Sequence, residues 1–282
     1  MKKGLILEGG AMRGMFTSGV LDVLMENEIR FDGTVGVSAG AAFGCNYKSG
    51  QIGRAIRYNM RFCHDSRYCG IRSLLKTGCF YNTDFCYREV PLHYDPFDFA
   101  AYSENPMQFF VVCTDMETGL PFYREYTGFE DHGFDWIRAS ASMPLVSLPV
   151  EIDGKLYLDG GISDSIPLKF FEQIGYDRNV VILTRPEDYR KKKNALMPLI
   201  RAKYKAFPQF VKMMETRHER YNETLSYLSC LEKQNKIFVI RPSEPLPLSR
   251  TEKNPQKLKA VYEIGREIAS KRLQELKCFL ET

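Results

Sequence analysis

The sequence predicts an α/β protein built on a mostly parallel sheet. Two observations carry that reading: a strand, glycine turn and helix pattern occurs twice in succession near the N-terminus, and the later apolar runs show no alternation of apolar with polar residues. Successive βα units place their strands in parallel, and strands covered by helices on both faces read as unbroken apolar runs.

Gly4 to Leu7 is such a run, closing on Gly9-Gly10, and Met12, Met15, Phe16, Val20, Val23 and Leu24 follow at helical spacing. Thr34 to Val37 is the second strand; Gly36 and Gly40 bracket a turn, and Ala39 to Gly44 opens a helix of small residues. Phe109 to Cys113, Val180 to Thr184 and Lys236 to Arg241 read as further strands. The aromatic-rich stretch before Phe109, with Phe80, Tyr81, Phe85, Tyr87, Tyr94, Phe97 and Phe99, reads as irregular chain. An excursion of that length over 58–99 serves as a lid or binding wall, or simply packs against the sheet. Lys257 to Leu280 carries Leu258, Val261, Tyr262, Ile268, Leu276 and Phe279 on one side and is expected as one helix docked on the core. A change of composition near Pro186 divides a catalytic domain, 1–186, from a basic helical extension, 187–282, that contributes a strand near 236–241.

At 282 residues, 44% of them hydrophobic, the chain can bury one large core. Its opening, MKKGLILEGG, imitates a signal peptide, but the apolar run meets Glu8 after three residues, Leu5 to Leu7. No segment approaches the roughly 18 apolar residues of a membrane span, so the expected location is cytoplasmic with at most peripheral membrane contact. The eight cysteines include no CxxC pair and are expected as reduced, mostly buried thiols. Cys63, His64 and Cys69 form the best zinc candidate, at a spacing that fits no common template, and no metal is expected.

Charge is unevenly spread. From Arg190 to Arg220 ten basic residues face only Glu215 and Glu219, a local +8 that, against +4 overall, leaves about −4 for the rest. Mixed with Met197, Leu199, Ile200, Phe207, Phe210, Val211, Met213 and Met214, this composition suits an anionic lipid surface. The plainer reading is a helical hairpin whose apolar face packs on the body. No nucleic-acid-binding module is present, so no nucleic-acid partner is expected; oligomeric state is not legible.

The chemistry centres on Gly36-x-Ser38-x-Gly40, a GxSxG placed between a strand and a helix, where flanking glycines leave a serine Oγ exposed on a sharp turn. Gly9-Gly10-Ala11-Met12-Arg13-Gly14 is a second glycine turn whose backbone N–H groups could hold an oxyanion. It lacks the GxGxxG spacing of a dinucleotide loop and the Lys-Ser/Thr of a phosphate loop. A serine nucleophile needs a base, and the chain has four histidines. His218 lies in ETRHER, a charged helix face, while His64, His93 and His132 read as surface or packing residues. The other candidate is Asp159, carried by Leu156-Tyr157-Leu158 to Gly160-Gly161; taken alone, that stretch favours a structural turn aspartate.

GGAMRG, GVSAG and DGG, in this order, together resemble the patatin-like phospholipase family, with ASASMP at Ala139 to Pro144 a further match. LDGGISDSIPL and VVILTRP resemble a bacterial branch of it, and the likeness runs over about residues 3 to 185. The resemblance implies a three-layer α/β/α sandwich and a Ser-Asp dyad without histidine, with Ser38 as nucleophile and Asp159 as base. It implies oxyanion donors at Gly9, Gly10 and Ala11, with Arg13, Gly14, Gly36, Gly40, Gly160 and Gly161 completing the motifs. Ala11 departs from the usual glycine but keeps its N–H. The implied reaction is hydrolysis of a lipid carboxylic ester through an acyl-Ser38 intermediate, with no cofactor. Acyl transfer, thioester cleavage, a Ser-His arrangement using His218, and a non-catalytic lipid-binding protein are the alternatives.

Overall fold

The computed structural model describes residues 1–129 and 132–281. Among them, one sheet is formed by β1 (Lys2–Leu7), β2 (Gly33–Val37), β3 (Gln108–Asp115), β4 (Pro121–Glu125), β5 (Val150–Ile152), β6 (Lys155–Asp159), β7 (Tyr176–Ile182) and β8 (Ile237–Ile240). Its order is β5-β6-β3-β2-β1-β7-β8, with β4 also paired to β3. The strands from β3 across to β8 are mutually parallel. Antiparallel β4 and β6 join β3, and β5 pairs antiparallel with β6.

Helices cover both faces. They are α1 (Gly14–Glu26), α2 (Ala39–Lys48), α3 (Arg54–Phe62), α4 (Ile71–Thr77), α5 (Phe99–Glu104), α6 (Asp135–Ser140), α7 (Leu168–Gln173), α8 (Met197–Lys203), α9 (Pro208–Lys233), α10 (Pro255–Lys271) and α11 (Leu273–Glu281). The apolar runs explain the layering residue by residue. Leu5 and Leu7 point to one face, with α1, α2 and α10; Ile6 points to the other, with α7 and α9. All three are fully buried, so β1 shows no alternation. This is the three-layer sandwich that the family resemblance implied.

Two expectations need correction. The stretch 58–99 is largely helical, comprising part of α3, α4 and a π-helical segment at Phe85–Tyr94 that contains Pro91. Its aromatics pack in T-shaped and tilted pairs such as Phe62 with Phe85 and Tyr94, which orders chain that lacks a clear apolar period. The final helix is two, α10 and α11, parted at Arg272, whose guanidinium donates to the Val239 carbonyl at 2.5 Å and to Glu275 at 3.0 Å. Strands β4 and β5, absent from the sequence reading, are short sheet additions.

Cys63 and Cys69 are buried thiols, and the Cys63 thiol donates to the Met60 carbonyl. No group of three or more His, Cys, Asp or Glu among the described residues is placed to hold a metal ion. No helix among them is long and apolar enough to cross a membrane.

Candidate active site

Strand β3 aligns the two residues that matter most. Val111 pairs with Gly36 of β2 on one edge and with Arg124 of β4 on the other, and Cys113 pairs with Phe122 of β4 and Asp159 of β6. Strands β2 and β6 therefore share the same edge of β3. They meet head-on, since β2 ends with Val37 opposite Val112 and β6 ends with Asp159 opposite the adjacent Cys113. Residues far apart in sequence are thus brought together, and the Ser38 side chain lies close enough to Asp159 to stabilise its carboxylate.

Ser38 sits at φ 56°, ψ −120°, in a region that a side chain enters only when its surroundings enforce it. Two glycines make that possible by close approach. A Cβ on Gly36 would lie 2.6 Å from the Ala41 backbone, and one on Gly40 would overlap the Leu7 carbonyl. The helix that follows begins at Ala39, with Ser38 as its cap residue.

The segment Ala139 to Pro144 holds both partners. The Ser38 amide donates to Ser140 Oγ at 2.9 Å, and the Asp159 amide donates to the Ser142 carbonyl at 2.8 Å. Thr114 Oγ1 donates to the Asp159 carbonyl at 2.8 Å, and the Gly161 amide donates to Asp159 Oδ1 at 2.8 Å. Gly160 lies against the Val112 carbonyl with no room for a Cβ.

The glycine turn packs directly on the serine. A Cβ on Gly9 would come within 2.8 Å of Ser38 Cβ. The amides of Gly9, Gly10 and Ala11 have no hydrogen-bond partner among the described residues, which leaves three donors beside Ser38. Ala11 has φ 49°, in the left-handed region, and this accounts for glycine being the ordinary residue there. Gly14 is required for contact, since a Cβ would lie 2.7 Å from the Phe43 ring. Glu8, at the end of β1, accepts from the Thr184 amide at 2.7 Å and from the Tyr221 hydroxyl at 2.5 Å, tying the turn to β7 and α9.

Burial pushes the Asp159 carboxyl above the usual carboxylate range, opposed in order by the neighbouring Ser38 hydroxyl, the Arg217 charge, the Gly161 amide and the Lys191 charge. A carboxyl moved upward is a better proton acceptor near neutral pH. None of the four histidines lines either cavity that contains Ser38. His218 faces Glu219 at 3.7 Å, His132 contacts Asp153 at 3.0 Å, and His64 and His93 are exposed.

The residue that the sequence reading missed is Arg217, next to His218. It is half-buried, its Nε donates to the Gly161 carbonyl at 2.5 Å, and burial lowers its pKa while Asp159 opposes the shift. The signal was present: Phe210, Met214, Arg217, Tyr221, Leu225 and Leu228 fall on one helical stripe, and Arg217 lies between the buried Met214 and Tyr221 on it.

Two cavities meet at Ser38. One, of about 330 Å³, is walled by Phe43, Tyr58, Tyr87, Val90, Ile137 and Leu145, so that the 58–99 stretch forms part of its wall. The other, of about 60 Å³, holds Gly9, Gly10 and Asp159 beside several cationic side chains.

Residues 5–171 match the Patatin-like phospholipase family. This chain belongs to that family. The matched residues thus include the second half of β1 and all of β2 to β6, while residues 207–281 match a domain of unknown function, DUF6363, that includes α9, β8, α10 and α11. The patatin-like chain is 28% identical over 273 residues to the uncharacterized protein YjjU of Escherichia coli K12, covering 93% of this chain and 74% of that one. It is 27% identical over 186 residues to the uncharacterized NTE family protein Rv1063c of Mycobacterium tuberculosis, covering 63% of this chain and about half, 48%, of that one. Over 187 residues it is 27% identical to the lysophospholipase nte1 of Aspergillus terreus, covering 62% of this chain and 11% of that protein. The solved structure of VipD from Legionella pneumophila aligns over 97% of this chain and 67% of its own, with a TM-score of 0.47 and 14% identity.

Proposed function

We propose that the protein is a lipid acyl hydrolase in which Ser38 and Asp159 form the catalytic dyad. The observation that carries this is the head-on meeting of β2 and β6 along β3, which sets a strained serine beside a buried carboxyl. Ser38 Oγ attacks the acyl carbonyl as Asp159 takes its proton, and the free amides of Gly9, Gly10 and Ala11 hold the oxyanion. The alcohol leaves with the proton that Asp159 returns. Water, deprotonated by the same carboxylate, then releases the acid from acyl-Ser38. The 330 Å³ cavity takes the acyl chain, its size falling within the range of small-molecule sites. NTE-type relatives, one of them named a lysophospholipase, support the substrate class. Residues 187–282 act as an extension that completes the site through Lys191 and Arg217. Hydrolysis of a short chromogenic acyl ester by the purified protein tests the reading, and its absence with every acyl ester tried would contradict it.

Because Asp159 must be ionised to act as base, activity falls as pH drops through its raised pKa. The acid limb of kcat/KM is expected above the ordinary aspartate value of about 3.9. A limb at or below that value would show that the base is an unperturbed carboxylate.

The basic segment divides on folding. Lys191, Arg217 and Arg220 turn inward, and Met197, Ile200, Phe210 and Met214 pack in a core. Left outside are Arg190, Lys192, Lys193, Arg201, Lys203, Lys205 and Lys212, with Leu196 and Leu199 each 55% exposed. Leu196 lies at the rim of the acyl cavity, so this face suits docking on an anionic lipid surface. Sedimentation with anionic vesicles is expected to weaken as salt rises; absent or salt-independent sedimentation would remove this surface as a docking site.

A further inference from the structure

The smaller cavity beside Ser38 has a charge pattern that ester hydrolysis does not itself require. Arg13, Arg185, Lys191, Arg217 and Arg250 all line it, against the carboxylates of Glu8 and Asp159. None of the five makes an ion pair with a carboxylate within salt-bridge reach among the described residues. Arg13 Nε is buried without a hydrogen-bond partner. The crowding of like charge shows in Lys191, whose pKa is pushed down to about 7 by burial first and then by Arg217, with Glu8 opposing. In Arg13, burial and then Arg185 lower the value to about 10. Five cations held together against two carboxylates are a standing cost that a bound anion would relieve.

Position points the same way. The chain leaves β1 toward α1 and α2 on one face, whereas α7 and α9 cover the other, so the sheet order reverses between β1 and β7. Arg13 follows the end of β1 and Arg185 the end of β7, placing the cavity at the crevice where open α/β sheets bind ligands. Arg217 stands beside Asp159 at the boundary of both cavities, and the acyl cavity opens from the same serine on the other side. An ester seated with its chain in the apolar cavity would direct its alcohol portion among the five cations.

We propose that this cavity is the headgroup subsite for a phosphomonoester, so that the preferred substrate is an acyl ester whose alcohol carries a terminal phosphate. The proposal rests on the hydrolase reading above and adds the headgroup to it. A cavity of about 60 Å³ accommodates a small anion, and its cationic walls repel a quaternary ammonium. Lys191, Arg217 and Arg250 all lie beyond the patatin match, so the C-terminal part of the chain confers this selectivity.

The test compares kcat/KM for 1-oleoylglycerol 3-phosphate, 1-oleoylglycerophosphocholine and 1-oleoylglycerol at fixed micelle composition. The phosphomonoester is expected to be preferred over the neutral glycerol ester by about 10- to 100-fold, the range of one or two charge-assisted contacts. That ratio should collapse toward one in Arg250→Gln and Lys191→Met and persist in Arg250→Lys. A ratio near one in the wild type, or one that the Gln and Met variants leave unchanged, overturns the proposal. A binding arm separates this from failure of the hydrolase reading: glycerol 3-phosphate should raise the Tm of the wild type but not of Arg250→Gln. If no ester is cleaved yet that shift appears, the hydrolase reading fails and the anion site stands; if the shift is absent, the site falls. If inorganic phosphate raises the Tm while the acyl substrates show no preference, the cavity takes free phosphate and the headgroup assignment is wrong.

Discussion

Asp159→Asn is expected to lower kcat/KM on an acyl ester by about 10⁴-fold or more while leaving the protein folded and no less stable. The loss has the size seen when a member of a catalytic serine unit is removed, because Asn keeps the shape of the side chain but cannot take the Ser38 proton. The stability half follows from the direction of the pKa shift. A carboxyl whose folded pKa is raised above its unfolded value costs stability once pH exceeds the unfolded value, and the cost is complete above the folded one. Burial outweighs the help from Ser38, Arg217, Gly161 and Lys191, so ionised Asp159 is a net liability to the fold at neutral pH. Neutral Asn relieves it. A structural turn aspartate would behave oppositely, losing Tm with activity largely retained. Kinetics and a melting curve on the one variant therefore separate the two roles that the sequence alone left open.

Gly265→Val is expected to destabilise the protein by about 3 kcal/mol, at the upper end of ordinary overpacking costs, read as a fall in Tm on the order of 5–10 °C. Helices α1 and α10 cross at glycines on both sides. A Cβ on Gly265 would overlap the Phe16 carbonyl, and one on Gly19 the Tyr262 carbonyl. The obstacle in each case is backbone, which cannot rotate away. Around this contact the Tyr262 hydroxyl donates to Asp22 at 2.6 Å, and Arg266 forms a two-pronged pair with Glu26 at 2.9 and 2.8 Å. Prying the helices apart would break these as well, since α10 belongs to the C-terminal part and α1 to the patatin match. An unchanged Tm would mean that α10 can slide on α1 without cost and that this crossing does not hold the extension in place.

Legibility in the sequence followed burial. Strands β1, β2, β3, β7 and β8 are covered on both faces and announce themselves as apolar runs, whereas β4, with the sequence PFYRE and mostly half-buried side chains, carries no such signature. The glycines near Ser38 were legible because backbone contact excludes every side chain there, as the Gly36 and Gly40 distances show. The mutual placement of Ser38 and Asp159 was not: it depends on which edge of β3 each strand occupies, a property of pairing rather than of either local sequence. Lys191 and Arg217 escaped because a basic run resembles a solvated face, and inward-turned cations are distinguished only by the stripe on which they fall. The break at Arg272 hinges on one long-range hydrogen bond to β8 that no helical periodicity encodes.

The measurement that bears most directly on the dyad is stoichiometric labelling with a fluorophosphonate, located by peptide mass spectrometry, on the wild type, Asp159→Asn and His218→Ala. The account predicts one adduct, on Ser38, formed at near wild-type rate in His218→Ala and slowed by orders of magnitude in Asp159→Asn. An adduct at another residue, or labelling of Ser38 that depends on His218 and not on Asp159, would contradict it.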